Sequence, residues 1–247
     1  MAKIGRICIN TNKIKDAVID TLFPKSCPLC DKTMGRGLRI CRSCENKVHY
    51  IEEPKCKKCG KRLSEEEVEY CLDCRTAKHV FNTGIAAFLY DDTISKSIYR
   101  FKYHNRRTYA EYYGKAIAEK YEKQIRRWRA DVIIPVPIHE KKRIKRGYNQ
   151  AELIAEEIGK QLGIKVDGKY LERTVNTKPQ KEMDKAGRKK NLENAFKIRY
   201  NIVEYKKIIL VDDIYTTGST IDGCARVLME GGATEVNFIS LSIGAGI

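Results

Sequence analysis

Long hydrophobic runs are missing from this 247-residue chain. Uncharged stretches such as Val236–Ile247 stop well short of the ~20 residues a spanning helix needs, so no membrane insertion is expected. Near the N-terminus Lys3, Arg6, Lys13 and Lys15 break every apolar stretch, which leaves no signal-peptide pattern. A cytoplasmic location is the resulting expectation. Histidine is scarce as well. His49, His79, His104 and His139 are scattered, and neither a Ser-His-Asp nor a Cys-His constellation accompanies them. Triad-type nucleophilic catalysis is therefore not expected. Cysteine all but disappears after Cys74, and the isolated Cys8 and Cys224 read as packed thiols rather than ligands.

What is abundant is positive charge. There are 48 Lys and Arg against 32 Asp and Glu, a net charge of +16. The excess is spread, with 17 basic and 11 acidic residues in 1–80 and 31 and 21 in 81–247, so it is not a tail. Such a surface points to an anionic partner, either nucleic acid or a phosphorylated small molecule. General solubility is the plainer alternative. With 42% apolar and 32% charged residues the chain is not a disordered one.

Eight of the ten cysteines form four Cys-x-x-Cys pairs: Cys27/Cys30, Cys41/Cys44, Cys56/Cys59 and Cys71/Cys74. Each pair puts two sulfurs on one tight turn, and two such turns complete a four-thiolate zinc site. A reducing compartment argues against disulfides, and four pairs in series argue against a redox dithiol. Structural zinc, two ions, is the expectation. Sequential grouping is preferred, and a cross-braced grouping of first with third and second with fourth stays open. Closed four-thiolate sites leave no open coordination position, so these sites fold the region and do no chemistry.

Three segments follow from composition: an N-terminal amphipathic helix within 1–26, a double zinc ribbon at 27–80, and an α/β domain at 81–247. Ile14, Val18 and Leu22 carry the helix periodicity. Beyond residue 80, the apolar segments Gly84–Tyr90, Val132–Pro137, Lys207–Val211 and Val236–Ser242 alternate with helical patterns, the signature of a parallel sheet. Asn149 followed by Glu152 predicts a capping box that opens a helix over Gln150–Leu162. Residues 177–191 lack periodicity and read as a long functional loop.

The most informative stretch runs Ile208-Ile-Leu-Val-Asp-Asp-Ile-Tyr-Thr-Thr-Gly-Ser-Thr220. An apolar strand enters two adjacent carboxylates, then a hydroxyl-and-glycine turn, then a helix ending near Gly231-Gly232. That turn offers backbone N–H groups at a helix N-terminus, a ready anion site. Asp212 and Asp213 suit the vicinal hydroxyls of a ribose, or Mg²⁺ directly or through water. The stretch resembles the phosphoribosyl-pyrophosphate (PRPP) signature of type I phosphoribosyltransferases. Pro135-Val-Pro137, Arg146-Gly-Tyr-Asn-Gln-Ala151, Phe101-Lys-Tyr103, the stretch from Thr177 to Phe196 and the four cysteine pairs narrow it. Together they resemble the ComF family of competence-associated proteins over nearly the whole chain.

The resemblance implies a type I phosphoribosyltransferase fold and transfer of a phosphoribosyl group from PRPP, with Mg²⁺, and loss of pyrophosphate. By that resemblance Asp212 and Asp213 are the catalytic pair holding the ribose. Thr216, Thr217, Gly218, Ser219 and Thr220 take the 5′-phosphate. Pro135, Val136 and Pro137 form the pyrophosphate turn, and Arg146 or loop lysines face the pyrophosphate. Only one strand follows the signature helix, so no hood for an acceptor base is evident, and the acceptor is not legible. A non-catalytic PRPP-binding role remains open, as does handling of single-stranded DNA in natural transformation, with a DNA-uptake helicase as partner. For DNA, Lys96, Arg100, Lys102, Arg106 and Arg107 alternate with Tyr99, Phe101, Tyr103 and Tyr109. Arg126, Arg127 and Arg129 surround Trp128, and Lys57, Lys58, Lys61 and Arg62 extend the basic track. Cations beside stacking rings suit a single strand. Helix packing of the same rings is the alternative.

Overall fold

A computed structural model describes residues 25–35, 37–64, 68–175, 195–199 and 205–244. The predicted helix around Ile14–Leu22, Cys8 and the 177–191 loop lie outside the described residues. Four strands form a parallel sheet in the order β1-β6-β5-β2: β1 (Gly84–Leu89), β2 (Val132–Pro135), β5 (Lys207–Tyr215) and β6 (Glu235–Ile243). A separate antiparallel pair joins β3 (Leu171–Arg173) to β4 (Phe196–Ile198). Between the strands run α3 (Asp92–Tyr103), α4 (Tyr109–Arg127), α5 (Glu140–Arg146), α6 (Gln150–Leu162) and α7 (Ser219–Glu230). Two short helices, α1 (Arg42–Glu45) and α2 (Leu72–Thr76), belong to the cysteine region.

Both faces of the sheet are buried, and the two-residue period of the strands distributes side chains between two cores. Ile209, Val211, Ile239 and Leu241 pack toward α3, α4 and α6 together with Leu29, Cys27 and Cys44. Ile208, Leu210, Val236 and Phe238 pack toward α7 together with Phe81, Cys56, Cys59 and Cys71. Each half of the cysteine region therefore seals one face. Between the halves, residues 49–51 pair antiparallel with β1, through Ile51 N–H to the Ala87 carbonyl at 3.0 Å and Leu89 N–H to the His49 carbonyl at 2.9 Å. That pairing covers a sheet edge that would otherwise expose unpaired backbone groups.

Several local expectations change. β5 does not stop at Val211 but continues through both carboxylates to Tyr215. The α6 cap forms only in part: Asn149 Oδ1 accepts from the Ala151 N–H at 3.2 Å, but Glu152 faces Arg143 at 2.9 Å instead of closing the box. Among the described residues no helix is long and apolar enough to cross a membrane.

Gly84 opens β1 directly against the Phe238 ring, and a Cβ there would come within 2.0 Å of Phe238 Cε1 and 2.2 Å of Cζ. Gly84→Ala is expected to destabilise the chain by about 1–3 kcal/mol through overpacking. Thermal unfolding measures it, and Phe238→Leu in the same chain should recover part of the loss. An unchanged melting temperature in the single variant would contradict this packing.

Candidate functional site

In open parallel sheets, ligands sit at the carboxyl ends of the strands. A cavity of about 440 Å³ lies there, lined by Tyr90 after β1, Val136 to Ile138 after β2, Asp212 to Thr216 at the end of β5 and Gly244 after β6. Lys102 enters from α3, Lys142 and Arg146 from α5, Asn149 from the start of α6 and Arg173 from β3. Four cations thus face two carboxylates. With cations outnumbering carboxylates, the site suits a negatively charged ligand.

Asp213 is paired with Lys102 at 2.7 Å, and the Asp213 N–H donates to Asp212 Oδ1 at 2.8 Å. Burial first, and the Asp213 charge second, push the Asp212 carboxyl up to about 7. Burial also pulls Lys142 and Arg173 down, and for Lys142 the neighbouring Arg173, Arg146 and Lys102 charges act in the same direction. Cations crowded and partly desolvated in this way favour an anionic ligand. Arg146 lies over the Tyr103 ring at 5.1 Å and donates to Gln150 Oε1 at 3.0 Å, which fixes the guanidinium at the cavity wall.

The turn after β5 has the geometry of an anion cradle. Gly218 caps α7 at φ +79 and, having no side chain, makes no side-chain cap bond of its own. Thr217 Oγ1 and Ser219 Oγ lie 2.9 Å apart. Of the predicted residues, Asp212, Asp213, Thr216, Thr220, Val136, Pro137 and Arg146 line the cavity. Thr217, Gly218 and Ser219 form the turn beside it. Pro135 ends β2, in register with Val211. The basic run splits: Lys142 and Arg146 turn to the cavity, while Arg143 pairs with Glu152. The Lys102 and Arg173 roles were not read from the sequence, because each comes from an element far from the signature. Phe101-Lys-Tyr103 was a signal for Lys102; Arg173 carried none.

The cysteines gather sequentially, Cys27, Cys30, Cys41 and Cys44 in one group and Cys56, Cys59, Cys71 and Cys74 in the other, each with its sulfurs within 4.8 Å. This grouping settles the cross-braced alternative against. Sulfurs around a tetrahedral ion with a Zn–S distance of about 2.3 Å are spaced by about 3.8 Å. Cys30 and Cys41 sulfurs are 3.5 Å apart, and those of Cys59 and Cys71 are 3.7 Å apart. Burial pushes the Cys44 thiol up, and contact with Cys56 holds protons on Cys59 and Cys74. Crowded thiols of this kind release their protons to a divalent cation, so the donor set fits structural zinc.

The basic and aromatic track of α3 and α4 is only partly a surface. Phe101 and Tyr109 are fully buried, and Trp128 is buried too. Arg100 donates to the Leu29 carbonyl and Arg106 pairs with Asp31 at 2.7 Å, so both hold the first cysteine knuckle. Lys57 pairs with Glu69, Lys58 donates to the Phe81 carbonyl, and the buried Lys61 pairs with Asp73. Tyr99 and Tyr103 do stay exposed, with ring centroids 4.9 Å apart.

Known proteins agree with this architecture. Residues 18–75 match the family model described as Double zinc ribbon domain, and residues 109–242 match Phosphoribosyl transferase domain. Competence protein F of Haemophilus influenzae is 29% identical over 82% of this chain and 90% of its own length. Competence protein ComFC of Bacillus subtilis is 26% identical over 87% and 93%. DNA utilization protein YhgH of Escherichia coli is 34% identical over 43% of this chain and 46% of its own.

An acid held up to about 7 favours the fold while protonated. Its contribution is therefore full below the ordinary carboxylate range and is lost as pH rises through about 7. Asp212→Asn should remove that loss. Its melting temperature relative to the parent is expected to rise from about pH 5.5 to about pH 8. A difference independent of pH would exclude the buried-carboxylate description.

Proposed function

This chain belongs to the phosphoribosyl transferase domain family, and on that premise we propose that it binds PRPP with Mg²⁺ in the cavity at the strand ends. We propose further that it transfers the phosphoribosyl group to an acceptor with release of pyrophosphate. The observation that carries the reading is the carboxylate pair Asp212 and Asp213 set among Lys102, Lys142, Arg146 and Arg173, beside a glycine-capped helix N-terminus.

Each group then has a task. The N–H groups of the Gly218 turn hold the 5′-phosphate, with Thr216 and Thr220 beside it. Asp212 and Asp213 accept from the ribose hydroxyls, and the negative charge of the pair also favours the cationic character that develops on the ribose as the bond to pyrophosphate breaks. Arg146, Lys142 and the turn at Pro135 to Pro137 receive the pyrophosphate. Mg²⁺, a hard cation that prefers oxygen ligands, would neutralise charge on the diphosphate as it departs. Holding the two partners in one orientation supplies the rest of the rate.

A second reading has its own support. Tyr99 and Tyr103 form an exposed aromatic pair, with Lys96 and Arg107 also exposed nearby on the chain. Relatives bear the names competence protein and DNA utilization protein. We therefore place the protein in the cytoplasm in DNA uptake, where it contacts single-stranded DNA through this patch and works beside a DNA-uptake helicase.

The double variant Asp212→Asn, Asp213→Asn is expected to lose PRPP affinity by at least about tenfold while remaining folded by circular dichroism. Calorimetry with Mg²⁺ and PRPP measures it, and unchanged affinity would overturn the assignment. Pyrophosphate release across a panel of metabolite acceptors then separates transferase from binding module. For DNA, fluorescence anisotropy of a single-stranded oligonucleotide should weaken by roughly 0.7 log unit per log salt for each phosphate neutralised. Tyr99→Ala and Tyr103→Ala should each cost about 1–3 kcal/mol if bases stack there. No binding at low salt removes the second reading.

A further inference from the structure

We propose that His79 is a positioning residue that couples the second cysteine tetrad to the phosphate turn, so that metal in the ribbon and ligand in the cavity stabilise one another. The ligand side rests on the PRPP reading above; the coupling rests on geometry alone.

The connection is short. Cys71 and Cys74 flank and enter α2, and the Ala77 N–H donates to the Asp73 carbonyl at 2.9 Å as that helix ends. The next residues reach the first turn of α7. His79 Nδ1 lies 2.7 Å from Asp222 Oδ2, and the Val80 N–H donates to Asp222 Oδ1 at 2.8 Å. A carboxylate accepts, so His79 Nδ1 carries the proton. One acidic side chain in the first turn of α7 is thus gripped twice by the segment leaving the second tetrad. A negative charge at that place also suits the positive end of the helix.

The ring lies directly under the turn. His79 has only 2% of its side chain exposed and stacks on Phe81 with centroids 4.7 Å apart. A Cβ on Gly218 would come within 2.8 Å of His79 Cε1 and 2.6 Å of Tyr215 Oη. The turn's left-handed residue therefore rests on a floor made by one ring from the ribbon and one from β5. His79 Nε2 and Tyr215 Oη are both buried without a hydrogen-bond partner. The floor is thus held by shape and by the Asp222 bond, with no other polar tie from either ring atom. If residues 77–80 shift when the second tetrad loses its ion, both the Asp222 grip and the floor go with them. Thermodynamic linkage then requires the reverse effect, with ligand on the turn protecting the tetrad.

The experiment uses the full-length, zinc-loaded protein and hydrogen exchange read by mass spectrometry. Without ligand, His79→Ala should speed exchange of the amides in 216–222 by about tenfold and leave α6 unchanged. His79→Asn, whose amide nitrogen can replace Nδ1 toward Asp222, should restore most of the protection. When a zinc chelator is added, Mg²⁺ with PRPP should slow exchange at 71–74 in the parent and have no such effect in His79→Ala. Unchanged exchange at 216–222 in His79→Ala overturns the coupling whatever PRPP does. Absence of PRPP binding in the parent overturns the function reading and leaves the first comparison decisive. Should His79→Ala not fold, Asp222→Asn carries the same comparison: faster exchange at 216–222 supports the coupling and unchanged exchange refutes it.

Discussion

Two adjacent carboxylates at the end of a buried strand repel one another, and the surrounding structure answers that repulsion. β5 carries Asp212 and Asp213 to the rim of the sheet between β2 and β6, where burial disfavours the charge of Asp212. Lys102, at 2.7 Å from Asp213, forms a direct ion pair with it. The Arg173 charge also acts on Asp212, and Lys142 and Arg146 line the same cavity. The arrangement is electrostatically frustrated. Asp212 is held partly protonated, Lys102 is spent on Asp213, and the remaining cations repel each other. A ligand that brings negative charge to the cations and hydroxyl donors to the carboxylates would relieve both conflicts, whereas a ligand with only one of these would relieve only one. Electrostatic strain of this kind is a more specific pointer to ligand chemistry than the size of the cavity.

The cysteine region takes part in the same construction. A ribbon that only hung from the chain would not supply Cys27 and Leu29 to one core and Cys56, Cys59 and Phe81 to the other. Its first knuckle is bound to the helical layer through Asp31, which accepts from Tyr109 Oη at 2.6 Å and pairs with Arg106 at 2.7 Å. Its second knuckle reaches β1, where the Gly84 N–H donates to the Lys58 carbonyl at 2.8 Å. The segment between them completes the edge of the sheet. Removing the ribbon would expose apolar surface on both faces and unpaired backbone along β1, so the two parts share their stability.

How much of this was legible follows from how local each feature is. Cys-x-x-Cys pairs and the run from Ile208 to Thr220 are local: the residues that act together lie within a few positions, and their spacing implies their geometry. The parallel sheet was legible because buried strands read as short apolar runs. β5 runs further than its apolar stretch, since charged side chains do not break a strand whose β6 partner continues to pair, through Ile214 to Ser242 and Tyr215 to Ile243, after β2 has ended at Pro135. The basic and aromatic stretch of α3 and α4 misled for a different reason. Alternation along the sequence becomes opposite faces on a helix, so Phe101 and Tyr109 turned inward while Tyr99 and Tyr103 stayed out. Arginines there pair with the ribbon because burying Asp31 and the Leu29 carbonyl requires donors. Arg173 and His79 were invisible, since nothing near either residue in sequence tells where it lands.

His79 and Lys102 together point to how such a site is assembled. The phosphate turn and the carboxylate pair come from one contiguous stretch, yet neither is self-sufficient. The carboxylates need Lys102, about a hundred residues earlier in the chain, and the turn needs a floor from the ribbon. Gly218 makes that dependence physical: its left-handed φ of +79 suits a residue without Cβ, and the missing Cβ leaves the space into which His79 and Tyr215 press. A side chain at this position would have to displace both rings and break the Asp222 contact. The glycine that leaves the backbone of the turn bare thus also lets the ribbon approach that backbone. The turn beside the cavity and the attachment of the cysteine region meet at a single residue, Gly218, on which His79 and Tyr215 both press.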